Sequence, residues 1–399
     1  PKFKTTTWKV AGSWEPISDI KFRGNYQRSV RAPNIGELFS PVTTGLTNLG
    51  TDPCAGNAPV VNANLRAICI AQGAPAAVIG TITNPTAGQA NVTGGGNPFV
   101  LPEKARTWTV GAVLRPSFLR NFSATVDYYK VKITDAISSP TPQDLIAACF
   151  GATPTSPPAS AAGSTACTII RRNPVSGALD GPPDTTFGLF SPLSNLGRIS
   201  TDGVDVTANY RIALGQLMGV PARLNFSFGG NWTRSSKFQA TPSAVNRECT
   251  GYYSVNCGSI QPKYTFTQRT TLGLGAVDVS LLWRYVHKTK LEPAQLAADL
   301  AAAQADPAGC PNPLGTDACG CIIDERFRSI NAYHYFDLTT RFNVTDNFQL
   351  TLTALNLFDK DPPVVGGTVG TTTYNGGNTF PSTYDALGRR FAVGARVKF

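Results

Sequence analysis

The chain has 399 residues, 42% of them hydrophobic, and its 35 basic and 25 acidic side chains give a formal net charge of +10. No uninterrupted apolar run approaches the roughly eighteen residues that a transmembrane helix needs, so helical membrane spans are excluded. The basic residues are spread along the chain and are not clustered with aromatic residues in one segment, so we predict no nucleic-acid partner.

Alternation of apolar and polar residues is the dominant pattern along the chain. The first such segments are residues 5–16 and 20–27, later ones are residues 204–212, 224–233, 277–285, 336–343 and 348–354, and the last is residues 388–399. A period of two is the period of a β-strand. We count about eleven segments of roughly ten to fifteen residues, long enough to cross a bilayer at a tilt.

The two faces of these strands require different surroundings. In the last segment Phe391, Val393, Ala395 and Val397 form an apolar face opposite Arg390, Arg396 and Lys398. The polar faces carry so much Thr, Asn, Asp and Arg that packing a second sheet on them would leave polar groups unpaired. Lipid on one side and water on the other is typical of a large barrel. The predicted fold is all-β, an antiparallel transmembrane β-barrel of the outer-membrane type.

Short and long connections alternate between the strands. The short ones are residues 16–19, 116–120, roughly 214–221, 275–276 and 344–347, and the long ones are residues 31–103, 138–194, 239–261, 293–326 and 359–387. Short periplasmic turns and long extracellular loops are typical of outer-membrane barrels. We therefore expect residues that bind a ligand to lie in the five long loops.

The nine cysteines lie in these loops and none lies on a strand face. Pairing within loops predicts disulfides between Cys54 and Cys69, between Cys149 and Cys167, between Cys249 and Cys257, and between Cys310 and either Cys319 or Cys321. This usage indicates an oxidising, extracytoplasmic setting. The alternative for Cys319-Gly-Cys321 is a metal site, but only Cys310 is near enough to add a third ligand. We predict no metal site and no cofactor.

Four motifs follow one another along the chain. They are KFRGNYQRSVRAPNIGELF at residues 21–39, NPFVLPEK at 97–104, NLGRISTDGVD at 195–205, and NLFDKD at 356–361 together with YDALGRRFAVGARVKF at 384–399. In this order, and across almost the full chain, they resemble the motifs of TonB-dependent outer-membrane receptors.

The resemblance implies a 22-stranded barrel that follows a plug and a TonB box. About eleven strands are half of such a barrel, so residues 1–399 are expected to be its C-terminal portion, without the signal peptide, the TonB box and the plug. The first strand then has an open edge, and the last strand is expected to pair with a strand that this chain does not contain.

The function that the resemblance implies is TonB-energised uptake of a scarce solute across the outer membrane of a Gram-negative bacterium. The solute is a siderophore–iron complex, a vitamin or an oligosaccharide, captured by the extracellular loops. The expected partners are outer-membrane lipid and lipopolysaccharide, the TonB complex through the missing N-terminal part, and the barrel assembly machinery, for which Phe399 resembles the terminal signal. The alternative is a passive porin or a structural or adhesin-type barrel.

Single residues carry fewer predictions. Arg31-Ala-Pro33 is expected to end a strand, because proline lacks a backbone donor, and Asn34 to cap a short helix. Direct contact of Arg31 with a ligand is the less favoured alternative. His287 and His334 are the only histidines, and because no catalytic motif accompanies them we predict no enzyme. Residues 291–306 have helical composition, and the arginines at 389 and 390 could contact phosphates of the outer leaflet.

Overall fold

The computed structural model describes residues 3–151, 154, 156–242, 244–254, 256–257, 260–297, 300, 323–366 and 378–398. Eleven long strands follow one another in a single antiparallel sheet, in which each strand pairs with the next along the chain. They are β1 Trp8–Ile17, β2 Ile20–Arg31, β3 Glu103–Leu114, β4 Phe122–Ser138, β5 Ser194–Leu217, β6 Val220–Gln239, β7 Tyr264–Leu274, β8 Val277–Val286, β9 Tyr333–Asn343, β10 Phe348–Leu355 and β11 Arg390–Val397. The predicted number of strands and their antiparallel order are confirmed.

The sheet is open. Among the described residues, β1 pairs only with β2 and β11 only with β10, so each has one edge without a neighbouring strand. The open edge expected for the first strand is therefore present, although that strand begins at Trp8 and not at Thr5.

The short connections are confirmed, and some are tighter than predicted. Strands β5 and β6 extend to Leu217 and Val220, so the turn expected over residues 214–221 consists of Met218 and Gly219 alone. Their φ angles are 55° and 78°. Positive φ at both central residues matches the right-handed twist of a hairpin, which is why such a turn can join two strands directly.

The long connections contain their own small elements. Short strands form two three-stranded sheets: Thr43–Asn48, Gln89–Gly94 and Leu189–Phe190 in one, and Tyr252–Tyr253, Thr289–Leu291 and Ser329–Ile330 in the other. A further strand, Arg247–Glu248, pairs with β6.

The helices are short and lie in the same connections. They are α1 Ile35–Phe39, α2 Ala58–Val61, α3 Ala63–Ala71, α4 Pro142–Phe150 and α5 Thr165–Thr168, with 3₁₀ turns at Ala76–Val78, Thr86–Gly88, Ala159–Gly163 and Glu325–Phe327. None of the helices in the described part of the chain has the length and apolar character to cross a membrane. The helix predicted over residues 291–306 is present at residues 293–297, and residues 301–306 lie outside the described ranges.

The two faces of the sheet differ as predicted. Aromatic side chains on neighbouring strands pack together on one face: Trp8 meets Tyr26 edge to face and Tyr26 stacks on Trp108, with ring centroids 5.1 and 4.2 Å apart. The opposite face carries ladders of polar pairs such as Arg23 with Asp127. In β11, Phe391 and Val393 are 77% and 73% exposed. An apolar face this exposed requires a covering that is not water.

Candidate functional site

The loop-bearing end of β2 is anchored by Arg31, the last residue of that strand. Its Nε donates to Oε2 of Glu103 at 2.6 Å, and its two terminal nitrogens donate to the two carboxylate oxygens of Glu37 at 2.9 Å each. The guanidinium holds the pKa of Glu37 below its ordinary value through these hydrogen bonds. The structure thus assigns Arg31 a scaffold role, and ligand contact by this residue stays a prediction.

Glu37 is fixed in turn by the cap of α1. The Oδ1 of Asn34 accepts a hydrogen bond from the backbone N–H of Glu37, and Oε2 of Glu37 accepts one from the backbone N–H of Asn34, both at 2.8 Å. This reciprocal arrangement is a capping box. The predicted strand end at residues 31–33 and the predicted cap at Asn34 are confirmed.

Glu103 connects three strands at one point. It is the first residue of β3, it binds Arg31 at the end of β2, and its Oε1 accepts a hydrogen bond of 2.7 Å from the backbone N–H of Ile137 near the end of β4. The segment just before β3 approaches α1 closely, because the backbone N–H of Asn97 donates to the carbonyl of Glu37 at 2.7 Å. A Cβ at Gly96 would lie 2.6 Å from the backbone nitrogen of Ser40, so only glycine fits there.

Asn195 connects the motif at residues 195–205 to the same group of contacts. Its Nδ2 donates to the carbonyls of Leu101 and Asp135 at 2.7 and 2.9 Å, and its Oδ1 accepts from the backbone N–H of Leu101 at 2.6 Å. The motifs at residues 21–39, 97–104 and 195–205, which are far apart in the sequence, therefore meet at the loop-bearing end of β2 to β5. We call this set of contacts the rim network.

The fourth motif forms a similar junction between β10 and β11. The side chain of Asn356 accepts from the backbone N–H of Lys360 at 2.9 Å, and Oδ1 of Asp359 accepts from the backbone N–H of Arg389 at 2.7 Å. Arg390 forms an ion pair of 2.9 Å with Asp385. The guanidinium of Arg389 lies 3.8 Å from the carboxylate of Asp359, so both arginines that could have contacted lipid phosphates have partners within the chain.

Two loops, residues 32–102 and 139–193, fold together on a first apolar cluster. Its buried side chains include Leu65, Ile68, Phe150 and Leu179. The disulfides Cys54–Cys69 and Cys149–Cys167 both lie in this cluster, as predicted. A buried ion pair also connects the loops, since both terminal nitrogens of Arg172 bind the carboxylate of Asp52, at 2.5 and 2.7 Å, and neither side chain is exposed.

The other three long loops contribute to a second apolar cluster. It contains Tyr253, Leu291, Ile330, Phe380 and Tyr384. Burial raises the pKa of Tyr253 and of Tyr384 well above the ordinary value of a tyrosine. The predicted disulfide Cys249–Cys257 closes one of these loops, whereas Cys310, Cys319 and Cys321 lie outside the described residues. The connection expected over residues 293–326 is longer than predicted and extends from residue 287 to 332.

Arg247 joins the two clusters. It is 4% exposed, and its terminal nitrogens donate to Oε1 of Glu292 at 3.0 Å and to Oδ1 of Asp144 at 3.4 Å. Asp144 belongs to a loop of the first cluster, and Glu292 to a loop of the second. The described parts of the five loops are therefore one connected, cross-linked surface at one end of the sheet.

The sequence profile of the family described as "TonB dependent receptor-like, beta-barrel" matches residues 2–357. The chain belongs to this family. Its members are receptors and transporters, so the loop-covered end of the sheet is the candidate site for capturing a solute.

Solved receptors share the fold. A mutant of the ferric enterobactin receptor from Pseudomonas aeruginosa superimposes with a TM-score of 0.55 at 14% identity, covering 98% of this chain and 40% of that one. The siderophore receptor PirA from Acinetobacter baumannii superimposes with a TM-score of 0.54 at 12% identity, covering 98% and 41%. This chain thus spans about two fifths of the length of these receptors. No curated protein sequence matches it.

The polar face of the receptor sheet contains a shallow cavity of about 260 Å³, lined by Arg269, Thr271, Asp278, Ser280, Thr339, Arg341, Gln349 and Thr351. At its centre the carboxylate of Asp278 accepts from Arg223 at 3.0 Å and from Arg341 at 2.7 Å. In a closed receptor barrel this face lines the lumen.

The two histidines of the receptor chain lie among aromatic side chains. Nδ1 of His334 accepts a hydrogen bond of 3.1 Å from the indole of Trp283, and Nδ1 of His287 shares one of 2.8 Å with the hydroxyl of Tyr285. Burial, with Lys288 and Lys263 nearby, lowers the pKa of His287. Within the described ranges, neither imidazole has a serine or a carboxylate as a hydrogen-bond partner.

Several residues of the site were not predicted from the sequence. Glu103, Asp52, Arg172 and Arg247 were not singled out, although each forms an ion pair that connects distant segments. For Glu103 a signal existed, because it belongs to the motif at residues 97–104. The other three lie in irregular loop sequence, where neither periodicity nor spacing marks a partner.

Proposed function

We propose that this chain is part of an outer-membrane receptor that imports a scarce solute with energy from the TonB complex. The observation that carries the proposal is the family match combined with the loop architecture, in which the described parts of five long loops are cross-linked at one end of the sheet. A preorganised loop surface loses little conformational entropy on binding and is suited to capturing a dilute ligand. The proposed solute is a siderophore–iron complex, a vitamin or an oligosaccharide, and the protein acts as a receptor and not as an enzyme.

We further propose the orientation of the sheet in the outer membrane of a Gram-negative bacterium. The exposed apolar face contacts lipid, the loop-bearing end is extracellular, and the two-residue turns are periplasmic. The support is the face asymmetry of the strands, since lipid is the solvent that an exposed face of Trp, Tyr, Phe and Val requires.

Residues 1–399 form the C-terminal portion of the barrel in this proposal. The plug and the TonB box belong to another part of the protein, and that part contacts the TonB complex. Two observations support this division: the chain spans 40% of the ferric enterobactin receptor, and β1 and β11 each have an edge without a partner in the described residues. Phe399, outside the described residues, is the proposed signal for the barrel assembly machinery.

The experiment is an uptake assay on a deletion strain and the same strain complemented with the full gene. Growth and uptake of labelled solute are measured with single siderophore–iron complexes, vitamins and oligosaccharides. We expect the deletion to lower uptake of one solute class and complementation to restore it. Unchanged uptake of every solute would contradict an import function, and would leave the structural or adhesin-type barrel as the better account.

A further inference from the structure

Three basic residues form a continuous row across the loop-bearing end of the sheet. Arg28 of β2 is paired in register with Arg106 of β3, and Arg106 is paired with Lys132 of β4. Since neighbouring strands are about 4.8 Å apart, the row spans roughly 10 Å. It lies near the loops, because Arg28 is only three residues from the last residue of β2.

The row is on the apolar face of the sheet. In β3 the exposed positions are Lys104, Arg106, Trp108 and Val110, and the residues between them are less exposed. Arg106 therefore points to the same side as Trp108, which stacks on Tyr26. The basic row is one step nearer to the loops than this aromatic pair, and Lys130, paired with Trp108, adds a fourth cation beside it.

Arg28, Arg106 and Lys132 have no ion-pair partner in the described part of the chain, and Lys130 lies opposite Asp202 in register, whose carboxylate binds Arg234. Like charges directly opposite each other on neighbouring strands are destabilising, and none of the described ion pairs includes Arg28, Arg106, Lys130 or Lys132. Other cations nearby are neutralised, for example Lys104 on the same face by Asp135 and Arg234 by Asp202. An anion from outside the chain would remove the repulsion within the row.

The opposite end of the same strands differs. Eight residues toward the turns, the same face carries Ile20, Leu114 and Ala124, which are paired in register with one another. The strands thus carry a basic row above an aromatic band at one end and an apolar row at the other end. This asymmetry fits a bilayer in which only one leaflet has clustered phosphates. Aromatic rings mark the level of the headgroups in such bilayers.

We propose that Arg28, Arg106 and Lys132, flanked by Lys130, dock the phosphate groups of a phosphorylated glycolipid of the outer leaflet. The inference rests on the proposed placement of the receptor in the outer membrane, and it assigns the lipid contact to named residues. Arginine suits this role because its planar fork binds phosphate oxygens in pairs. The aromatic pair below the row packs against the acyl chains and sugar rings of the same lipid.

The test compares two variants of the full-length receptor, each lacking three positive charges. One carries Arg28→Gln, Arg106→Gln and Lys132→Gln, and the control carries Arg115→Gln, Arg120→Gln and Lys398→Gln near the turns. Binding of bis-phosphorylated lipopolysaccharide to the purified proteins is measured in detergent, beside a dephosphorylated form. We expect the row variant to bind the phosphorylated form at least about tenfold more weakly, and the control to bind it like the unaltered receptor. Equal binding by all three proteins, or an equal loss in both variants, would overturn the proposal.

If the triple variant folds poorly, single variants replace it in the test. The single variant Arg106→Gln and the charge-preserving Arg106→Lys are then compared with the unaltered protein, and the first is expected to lose clearly more affinity than the second. Equal affinity of the unaltered receptor for phosphorylated and dephosphorylated lipid would equally contradict the proposal. Lipid binding by purified protein requires no transported solute, so a negative result here leaves the uptake proposal intact, and a failed uptake assay leaves this one intact.

Discussion

Arg31 and Glu103 are paired in register at the loop-bearing ends of β2 and β3, and Nε of Arg31 donates to Oε2 of Glu103 at 2.6 Å. The two residues are 72 positions apart in sequence, so this contact closes the base of the first long loop. Glu37 and Ile137 bind the same pair from α1 and from β4. The contact therefore holds together the segments from which the first loop cluster rises.

Replacing Arg31 tests the role of the rim network. In Arg31→Ala the Glu103 side chain, only 10% exposed, loses its cationic partner, and we expect the loop base to be destabilised by about 1–3 kcal/mol. Arg31→Lys is expected to recover part of this loss, because a lysine can bind one of the two carboxylates but lacks the planar fork. Hydrogen exchange of residues 32–102 measures the effect. The control is Arg120→Ala in a turn at the other end, and equal exchange in Arg31→Ala and the control would contradict the scaffold role.

A methyl group added at Gly96 is expected to disrupt the same region through a steric clash. The added Cβ would lie 2.6 Å from the nitrogen of Ser40, whereas a Cβ at Gly163 would have no atom within 4 Å. We expect Gly96→Ala to cost about 1–3 kcal/mol, as overpacking does elsewhere, and Gly163→Ala to be nearly neutral. Limited proteolysis of folded protein compares them. Similar cleavage rates for the two variants would show that the approach of residue 96 to α1 is not close.

Each disulfide is expected to stabilise mainly its own side of the loop surface, although Arg247 joins the two clusters. Replacing Cys54 and Cys69 by serine opens a cross-link with a separation of 15 residues and is expected to cost about 3 kcal/mol within the first cluster. Replacing Cys249 and Cys257 serves as the matched control, because that bond closes the loop that contributes Tyr253 to the second cluster. Hydrogen exchange is expected to rise most in the set of loops that loses its disulfide. An equal rise in both sets for either variant would contradict this local effect.

Alkaline pH is expected to loosen the second cluster before the first. Burial raises the folded pKa of Tyr253 and Tyr384 above the ordinary value of 10.0, so the protonated hydroxyls are favoured in the fold. The stability is complete below pH 10 and is lost as the pH rises above it. Hydrogen exchange of residues 378–398, after correction for the intrinsic pH dependence, is expected to increase above pH 10.

The first cluster is an internal control for this titration, because residues 32–102 and 139–193 contain no tyrosine. The double variant Tyr253→Phe with Tyr384→Phe is expected to flatten the response of the second cluster. It also loses the hydrogen bond from Tyr253 to the carbonyl of Phe327, so its stability at neutral pH is expected to fall by about 1 kcal/mol. An unchanged alkaline response in the double variant would assign the pH dependence to other groups.

The strands were predictable from sequence because lipid and water select side chains with a period of two. The alternation from Val277 to Tyr285 and from Phe348 to Ala354 lies within β8 and β10. Disulfides within one loop were also predictable, since short separations leave few alternatives: Cys249 and Cys257 are only 8 residues apart.

The interior of the loops was not predictable in the same way. Thr43–Asn48 and Gln89–Gly94 pair as strands, but TTGLTN shows no apolar alternation and QANVTG shows it only at Ala90 and Val92. Arg172 and Asp52 are 120 positions apart, and their pairing depends on two loops folding together. Such contacts follow from tertiary packing, which a local pattern does not encode.

The most direct test of the central claim is the energy dependence of uptake in the complemented strain. Accumulation of the solute that the receptor restores is measured with an intact TonB complex, without TonB, and after a protonophore has dissipated the membrane potential. We expect accumulation only in the first condition, with a fall to the level of the deletion strain in the other two. Accumulation that continues unchanged without TonB and without the membrane potential would contradict energised import and would identify a passive pore.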